Sequence, residues 1–301
     1  MDDFKNEFSW SKSRDEVFQT CKREYYFQHY GFWDGWKEGS PAREAYILKG
    51  LTTRQAWVGE VVHDFIKKVL IFNKARMQLP LPQLLCELRQ RLNEEFCFSK
   101  AKGYRQYPKK TGLFEHEYDV PLTQDEWNET FKLAEDAITK FYNSDTLQRI
   151  QEISSKNWVY PEEYSHFDFE GTKVNVQLDF AIKESDSGTI YDWKTGKETS
   201  NDVAMKIQLP CYALYASQKW KLPPDKIIVK IYNPRLEKEE TFAITEEAIN
   251  GIKQYMRNSI AEMKASLQDP ENNSARIEDF PETESKGHCQ YCKFKRLCFK
   301  N

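Results

Sequence analysis

The sequence predicts an α/β or α+β protein, a sheet flanked by helices, and three observations predict it. The first third places apolar residues at helical spacing. The character changes near Trp158 to segments that alternate at period two. A helix, a strand pair and a long helix then follow.

Taken in order, residues 14–30 set Val17, Phe18, Cys21, Tyr25 and Phe27 near helical spacing. Gly31 is the expected stop, and Ser9, Ser11 or Ser13 the expected cap. A second helix, over about 54–75, has Val58, Val61, Val62, Phe65, Ile66 and Val69 as its apolar face. Pro80 and Pro82 interrupt the pattern; helix resumes over 83–96 and over 123–141. Residues 158–169, 173–182 and 189–193 read as three strands. In the second, Val174, Val176, Leu178 and Phe180 alternate as a half-buried strand requires. Glu170-Gly171 and residues 185–188 supply the turns of two successive hairpins. A helix over about 204–219 ends at Leu222-Pro-Pro-Asp225. Strands at 227–232 and 239–244 precede a long helix at 246–267, a polar stretch and a cysteine-bearing tail. With no clean linker, the expectation is one domain over 1–301. It comprises N-terminal helices to 71, a helical insertion at about 72–150, a sheet core at 151–268 and the tail at 269–301.

Composition removes several classes. Aromatic residues at 14% are too many for a disordered chain. No run approaches the roughly 20 apolar residues that span a bilayer, and the charged N-terminus has no apolar signal region, so a cytoplasmic protein is expected. With 44 Lys+Arg against 47 Asp+Glu, the net charge of −3 argues against coating nucleic acid by bulk electrostatics but leaves room for a confined basic path.

The informative segment is Val176-Gln-Leu-Asp179-Phe followed by Ile190-Tyr-Asp192-Trp-Lys194-Thr-Gly196. Residues i and i+2 of a strand share a face, so Asp192 and Lys194 project together and Asp179 can join them from the neighbouring strand. Two carboxylates suit a hard cation such as Mg²⁺ or Mn²⁺, which can polarise a phosphoryl oxygen and acidify a bound water. Lys194 is placed to orient that water or to offset developing charge. Alone, an Asp-x-Lys is ordinarily a solvated ion pair, and a lone His63 beside an apolar helix face is ordinarily structural.

In that order the motifs resemble the PD-(D/E)XK nuclease superfamily, in its RecB-like branch. The residues that carry the resemblance are His63 in Gly59-Glu-Val-Val-His63, Asp179, Asp192-Trp-Lys194-Thr-Gly196 and Gln208-Leu-Pro-Cys-Tyr212. Leu178 stands where proline is common before the first aspartate. The resemblance implies a restriction-endonuclease-like mixed sheet and a metal-dependent deoxyribonuclease. Mg²⁺ or Mn²⁺ would be held by His63, Asp179, Asp192 and the Trp193 carbonyl, Lys194 would act on the water, and Gln208 and Tyr212 would position the substrate or Lys194. Glu162 or Glu163 is the candidate for a further acidic residue of the family.

Cys289, Cys292 and Cys298 form C-x₂-C-x₅-C, a metal-ligand signal one ligand short of a closed site. Spacing alone leaves the fourth open among Cys21, Cys86, Cys97, Cys211 and His288, with a Cys₃His zinc site as the rival. By resemblance to AddB-type nucleases and CRISPR-associated RecB-like exonucleases, Cys21 completes a [4Fe–4S] cluster that clasps the N- and C-terminal segments together. Cys86, Cys97 and Cys211 then read as buried apolar cysteines.

For DNA, residues 100–110 interleave Lys100, Lys102, Arg105, Lys109 and Lys110 with Tyr104 and Tyr107, a composition suited to a single strand or equally to a solvated loop. Lys22, Arg23, Lys293, Lys295 and Arg296 either line the same path or solubilise the tail. The family implies exonuclease action on single strands or DNA ends, in repair, recombination or CRISPR adaptation. With no Walker A motif in the chain, a helicase activity would belong to a partner. The rivals are a non-catalytic DNA-binding protein and a zinc-binding interaction module on the same fold.

Overall fold

Helix formation starts with two short helices, α1 (Lys12–Thr20) and α2 (Lys22–Tyr26), where the spacing predicts a single helix. Cys21 divides them. Its backbone is extended (φ −157°, ψ 109°), its N–H closes α1 on the Val17 carbonyl, and its Sγ accepts the Glu24 N–H at 3.5 Å to open α2. A π-helical turn, Phe27–Gly31, continues the chain. This computed structural model describes residues 5–159, 165–197, 202–284 and 286–299.

The helical half continues through α3 (Arg43–Lys49), β1 (Leu51–Thr52), α4 (Arg54–Lys74) and α5 (Leu81–Lys100), then β2 (Gly112–Leu113), α6 (Phe114–Glu117), α7 (Gln124–Tyr142) and α8 (Asp145–Glu152). Local chemistry sets the ends. Thr53 caps α4 through the Ala56 N–H, and Thr123 with Glu126 forms a reciprocal capping box on α7. Val61, Val62 and Ile66 on α4 are fully buried, each contributing roughly 1.5–3 kcal/mol relative to exposure.

The strands are β3 (Trp158–Val159), β4 (Ser165–Phe169), β5 (Thr172–Val176), β6 (Phe180–Lys183) and β7 (Gly188–Trp193). After α9 (Asp202–Trp220) come β8 (Ile227–Asn233), β9 (Lys238–Ala243) and α10 (Glu246–Ala265), then α11 (Lys286–Tyr291) and α12 (Lys295–Cys298). The central mixed sheet runs β3-β6-β7-β8-β9, parallel only between β7 and β8. The strand predicted over 173–182 is two strands in two sheets: β5 pairs with β4 and bridges Trp10 on its other edge, while β6 joins the main sheet. Gln177, Leu178 and Asp179 make the crossing, and Leu178 is buried there, so the apolar alternation continues although the sheet does not.

Helices cover both faces of the sheet. Ala181, Ile190, Val229 and Ile231 pack with residues of α9 and α10 and of the β4–β5 hairpin. Phe180, Ile182, Tyr191 and Trp193 pack with residues of α4, α5 and α7, so the segment 72–150 shares a core with the sheet. A third cluster joins Phe27, Leu48 and Leu51 to Cys292 and Phe294, bringing the N- and C-terminal segments together. The Arg23 N–H reaches the Pro281 carbonyl at 3.1 Å in the same region. Among the described residues no helix is long and apolar enough to cross a membrane.

Candidate active site

The site lies where β7 ends. Ile190 and Asp192 point to the α9 side of the sheet, and Lys194 follows at i+2. Asp192 is buried, and α9 supplies its partners: Gln208 Nε2 and the Tyr212 hydroxyl each donate to Asp192 Oδ1 at 3.3 Å. The two donors are i and i+4 on the helix, so one face delivers both. Lys194 Nζ donates to Gln208 Oε1 at 3.2 Å and stands 2.7 Å from Asp192 Oδ2.

Asp179 comes from the crossing between β5 and β6. Its Oδ2 accepts the Trp193 backbone N–H at 2.8 Å, and its Oδ1 lies 3.0 Å from His63 Nδ1, delivered by α4. The five side chains His63, Asp179, Asp192, Lys194 and Gln208 line one cavity of about 600 Å³, with Tyr212 and the Gly196 end of the motif. The Trp193 indole points the other way and packs against Phe141, leaving only its backbone at the site.

The electrostatics are those of a site short of positive charge. Burial, opposed by Lys194 and reinforced by Asp179, raises the Asp192 pKa. Burial disfavours a charged His63, yet the Asp179 carboxylate, with Asp192 behind it, outweighs burial and raises the imidazole pKa above its ordinary value. Asp192 Oδ2 is buried, and its one close partner among the described residues is the Lys194 ammonium at 2.7 Å. A buried carboxylate oxygen left in this condition, beside a second carboxylate and an imidazole, fits a divalent cation.

Residues that the motif reading did not single out complete the site. Asn233, at the end of β8, donates to the Gly196 carbonyl at 3.0 Å and so fixes the loop after Lys194. Gly59 allows α4 to approach, because a Cβ there would lie 3.0 Å from Thr195 Oγ1. Glu60, one turn before His63, lines the cavity, and burial with Asp64 and Glu95 raises its pKa. Asn233 follows a predicted strand directly, a position that loop-bracing side chains favour. Glu162 and Glu163 lie outside the described residues.

Cys21, Cys289, Cys292 and Cys298 all line a second, small cavity. Burial, then Glu282 and the thiols of Cys21 and Cys289, push the Cys298 thiol up to about 11; burial also pushes Cys292 up. Four thiols lining one small cavity are a donor set that fits a thiolate-ligated metal group. Glu24, His288 and Cys292 also converge, their ligand atoms within 4.8 Å of one another, and His288 Nε2 lies 2.6 Å from Glu24 Oε2. Cys211 is buried as expected, but Cys86 and Cys97 are exposed. The buried stripe of α5 is Leu84, Leu88 and Leu92, and both cysteines fall on the opposite side of the helix.

The basic segment 100–110 divides in two. Tyr104 is buried, its hydroxyl donating to Glu117 Oε2 at 2.6 Å, and Arg105 pairs with Glu117 and Glu44. Both are structural, because Glu117 is itself buried and needs those donors. Lys102 pairs with Asp119, while Tyr107, Lys109 and Lys110 are exposed. Near the cysteines, Lys22 pairs with Glu262, Arg23 donates to the Phe280 carbonyl and Arg296 pairs with Glu44, so these cations brace the junction of the two segments.

A family model, the PD-(D/E)XK nuclease superfamily, matches residues 9–299. No curated protein matches the sequence. A solved structure, "Crystal structure of SSO0001", is 17% identical, covers 62% of this chain and 78% of its own, and superposes with a TM-score of 0.30.

Proposed function

This chain belongs to the PD-(D/E)XK nuclease superfamily, and from that premise we propose that it is a metal-dependent deoxyribonuclease of the RecB-like kind, acting as an exonuclease on single strands or DNA ends. The observation that carries the proposal is the convergence of buried Asp192 with Asp179, His63 and Lys194 on one cavity, with Asp192 Oδ2 held only by the Lys194 ammonium among the described residues. His63, Asp179, Asp192 and the Trp193 carbonyl would hold Mg²⁺ or Mn²⁺. When bound, such an ion supplies Lewis acidity and a more acidic water.

The chain's own residues do the rest. Gln208 fixes Lys194 from one side and Asp192 from the other, so the ammonium is held at one place. From there Lys194 orients a water for in-line attack on the phosphodiester, and its charge offsets that developing on the phosphoryl oxygens. Tyr212 keeps its proton, because burial and the two aspartates raise its pKa well above the ordinary value, so it acts as a donor to Asp192. Cys21, Cys289, Cys292 and Cys298 would hold a [4Fe–4S] cluster of structural role, its ligands being remote in sequence from the catalytic carboxylates. A place in repair, recombination or CRISPR adaptation, with any helicase supplied by a partner, is proposed on the resemblance to the RecB-like branch.

The deciding experiment is degradation of end-labelled single- and double-stranded DNA with Mn²⁺. Cleavage by the native protein and its loss in Asp192→Ala and Lys194→Ala are expected. No cleavage, or equal cleavage by the variants, would leave a non-catalytic DNA-binding protein as the better description.

A further inference from the structure

A second large cavity, about 760 Å³, adjoins the catalytic one and shares Gln177, Gln208 and Tyr212 with it. Its other walls are the start of α1, the end of α3 and strand β5. They present Arg14, Lys49 and Lys173. Among the described residues no carboxylate forms an ion pair with any of the three. Arg14 gives one N–H to the Ser9 carbonyl at 2.7 Å, and Lys49 Nζ stands 3.2 Å from the centre of the Phe32 ring. Lys293 adds to the crowding, with its Nζ on the Lys49 carbonyl at 2.8 Å. Lys12, on the same wall, is already neutralised by Glu16.

Such a cluster is costly without a counter-charge. Burial lowers the pKa of Arg14; burial, then Arg14 and Lys293, brings Lys49 to about 8. The surroundings offer polar groups instead of charge: Tyr25, close to Arg14, is buried beside Tyr30, and the buried His29 Nε2 is without a hydrogen-bond partner among the described residues. The N-terminal end of α1 faces the same cavity through Ser11, Lys12 and Ser13, adding the positive end of a helix dipole. In a chain of net charge −3, these features concentrate positive charge on one cavity.

We infer that Arg14 and Lys49, with Lys173, form a phosphate-binding subsite that grips the backbone of the nucleic-acid strand beside the scissile position. The inference rests on the nuclease reading and extends it, because the shared residues Gln208 and Tyr212 make the two cavities continuous. The alternative source of the same chemistry is a free phosphate ion.

The test is binding of a labelled oligothymidylate by fluorescence anisotropy as salt is varied. It uses anaerobically prepared full-length protein, with EDTA present to prevent cleavage. Each phosphate contact to a single strand contributes about 0.7 to the slope of log K against log salt. Arg14→Gln/Lys49→Gln is expected to lower that slope by about 1.4 and to weaken binding roughly tenfold near 0.1 M salt. Arg14→Lys restores most of the slope. Lys226→Gln leaves it unchanged, because Lys226 sits at the start of β8, the end of the parallel pair opposite the site. If the double variant loses its native circular dichroism, the two single variants are read instead, each expected to remove about 0.7.

An unaltered slope and affinity in folded variants, with the native protein still cutting DNA, would overturn the subsite and leave the nuclease reading standing. Stabilisation of the native protein by inorganic phosphate, equal to that by the oligothymidylate, would overturn the strand assignment in favour of a free anion. A native protein that neither binds nor cuts DNA overturns the nuclease reading, and the subsite with it.

Discussion

Trp193 donates its backbone N–H to Asp179 Oδ2 at 2.8 Å, so the strand that carries one candidate metal ligand holds the other in place. The bond spans two elements, the end of β7 and the crossing before β6, and it leaves Asp179 Oδ1 to His63. Asp179→Asn keeps the size of the side chain but weakens both contacts. Cleavage is expected to fall by at least about 10²-fold, since positioning of this kind carries catalysis. Initial rates on an end-labelled strand check it.

Asp192→Asn separates catalysis from stability. The native carboxylate is buried beside a second carboxylate, and burial outweighs the Lys194 ammonium in raising its pKa, so the uncharged amide removes a net desolvation cost. The metal-free variant is expected to melt a few degrees higher than the native protein at pH 7, with cleavage abolished. Added Mn²⁺ raises the melting temperature of the native protein and leaves that of the variant unchanged. Differential scanning calorimetry with and without metal reads both arms.

Metal binding at the site competes with a proton on His63. The carboxylates raise the imidazole pKa above its ordinary value of 6.5, so protonated His63 persists to a higher pH than a free imidazole would. Mn²⁺ affinity is therefore expected to fall as pH drops, with a midpoint above 6.5 rather than below it. His63→Gln weakens Mn²⁺ binding and flattens that part of the profile. Titration calorimetry between pH 5.5 and about 8.5 tests the sign.

The cysteine cavity makes a spectroscopic prediction. Anaerobically prepared protein is expected to be brown, with iron and acid-labile sulfide bound, and Cys21→Ser or Cys292→Ser to lose the colour and much of the thermal stability. Because Cys21 also divides α1 from α2, its loss loosens the N-terminal segment as well as the cluster. A colourless protein with stoichiometric zinc would favour the ligand set of Glu24, His288 and Cys292 with further thiols.

A buried polar chain ties the ends of the molecule together without any metal. The Ser259 hydroxyl donates to Asp15 Oδ1 and the Tyr255 hydroxyl to Asp15 Oδ2, each at 2.6 Å, while Trp10 Nε1 donates to Ser259 Oγ at 2.8 Å. Asp15→Ala strands the buried Ser259 hydroxyl and the half-buried Tyr255 hydroxyl and is expected to cost about 1–3 kcal/mol, read as a lower urea midpoint.

The shared face of Asp192 and Lys194 was legible because strand periodicity places them on one side of β7 whatever else the chain does. Gln208 and Tyr212 came from the family resemblance, and their i, i+4 spacing puts both on one face of α9. The break between β5 and β6 was not legible. Val174, Val176, Leu178 and Phe180 stay alternately buried through it, and nothing local marks a change of sheet. Tyr104 and Arg105 looked like a stacking platform because composition is silent about tertiary partners, and their partner Glu117 reads from sequence as one more surface acid. Arg14 and Lys49 were unremarked for a similar reason: they are 35 residues apart in sequence, and only the fold makes them neighbours of one cavity.

The crossing at Gln177, Leu178 and Asp179 has a mechanical consequence. The β4–β5 hairpin carries Lys173 and Asn175 to the basic cavity and runs directly into a candidate metal ligand. Buried Leu178, the Trp10 bridge and the Arg257–Glu170 pair pin the hairpin, so the same contacts that hold Lys173 also hold the backbone entering Asp179. Three residues of backbone therefore tie the rigidity of one cavity to that of the other.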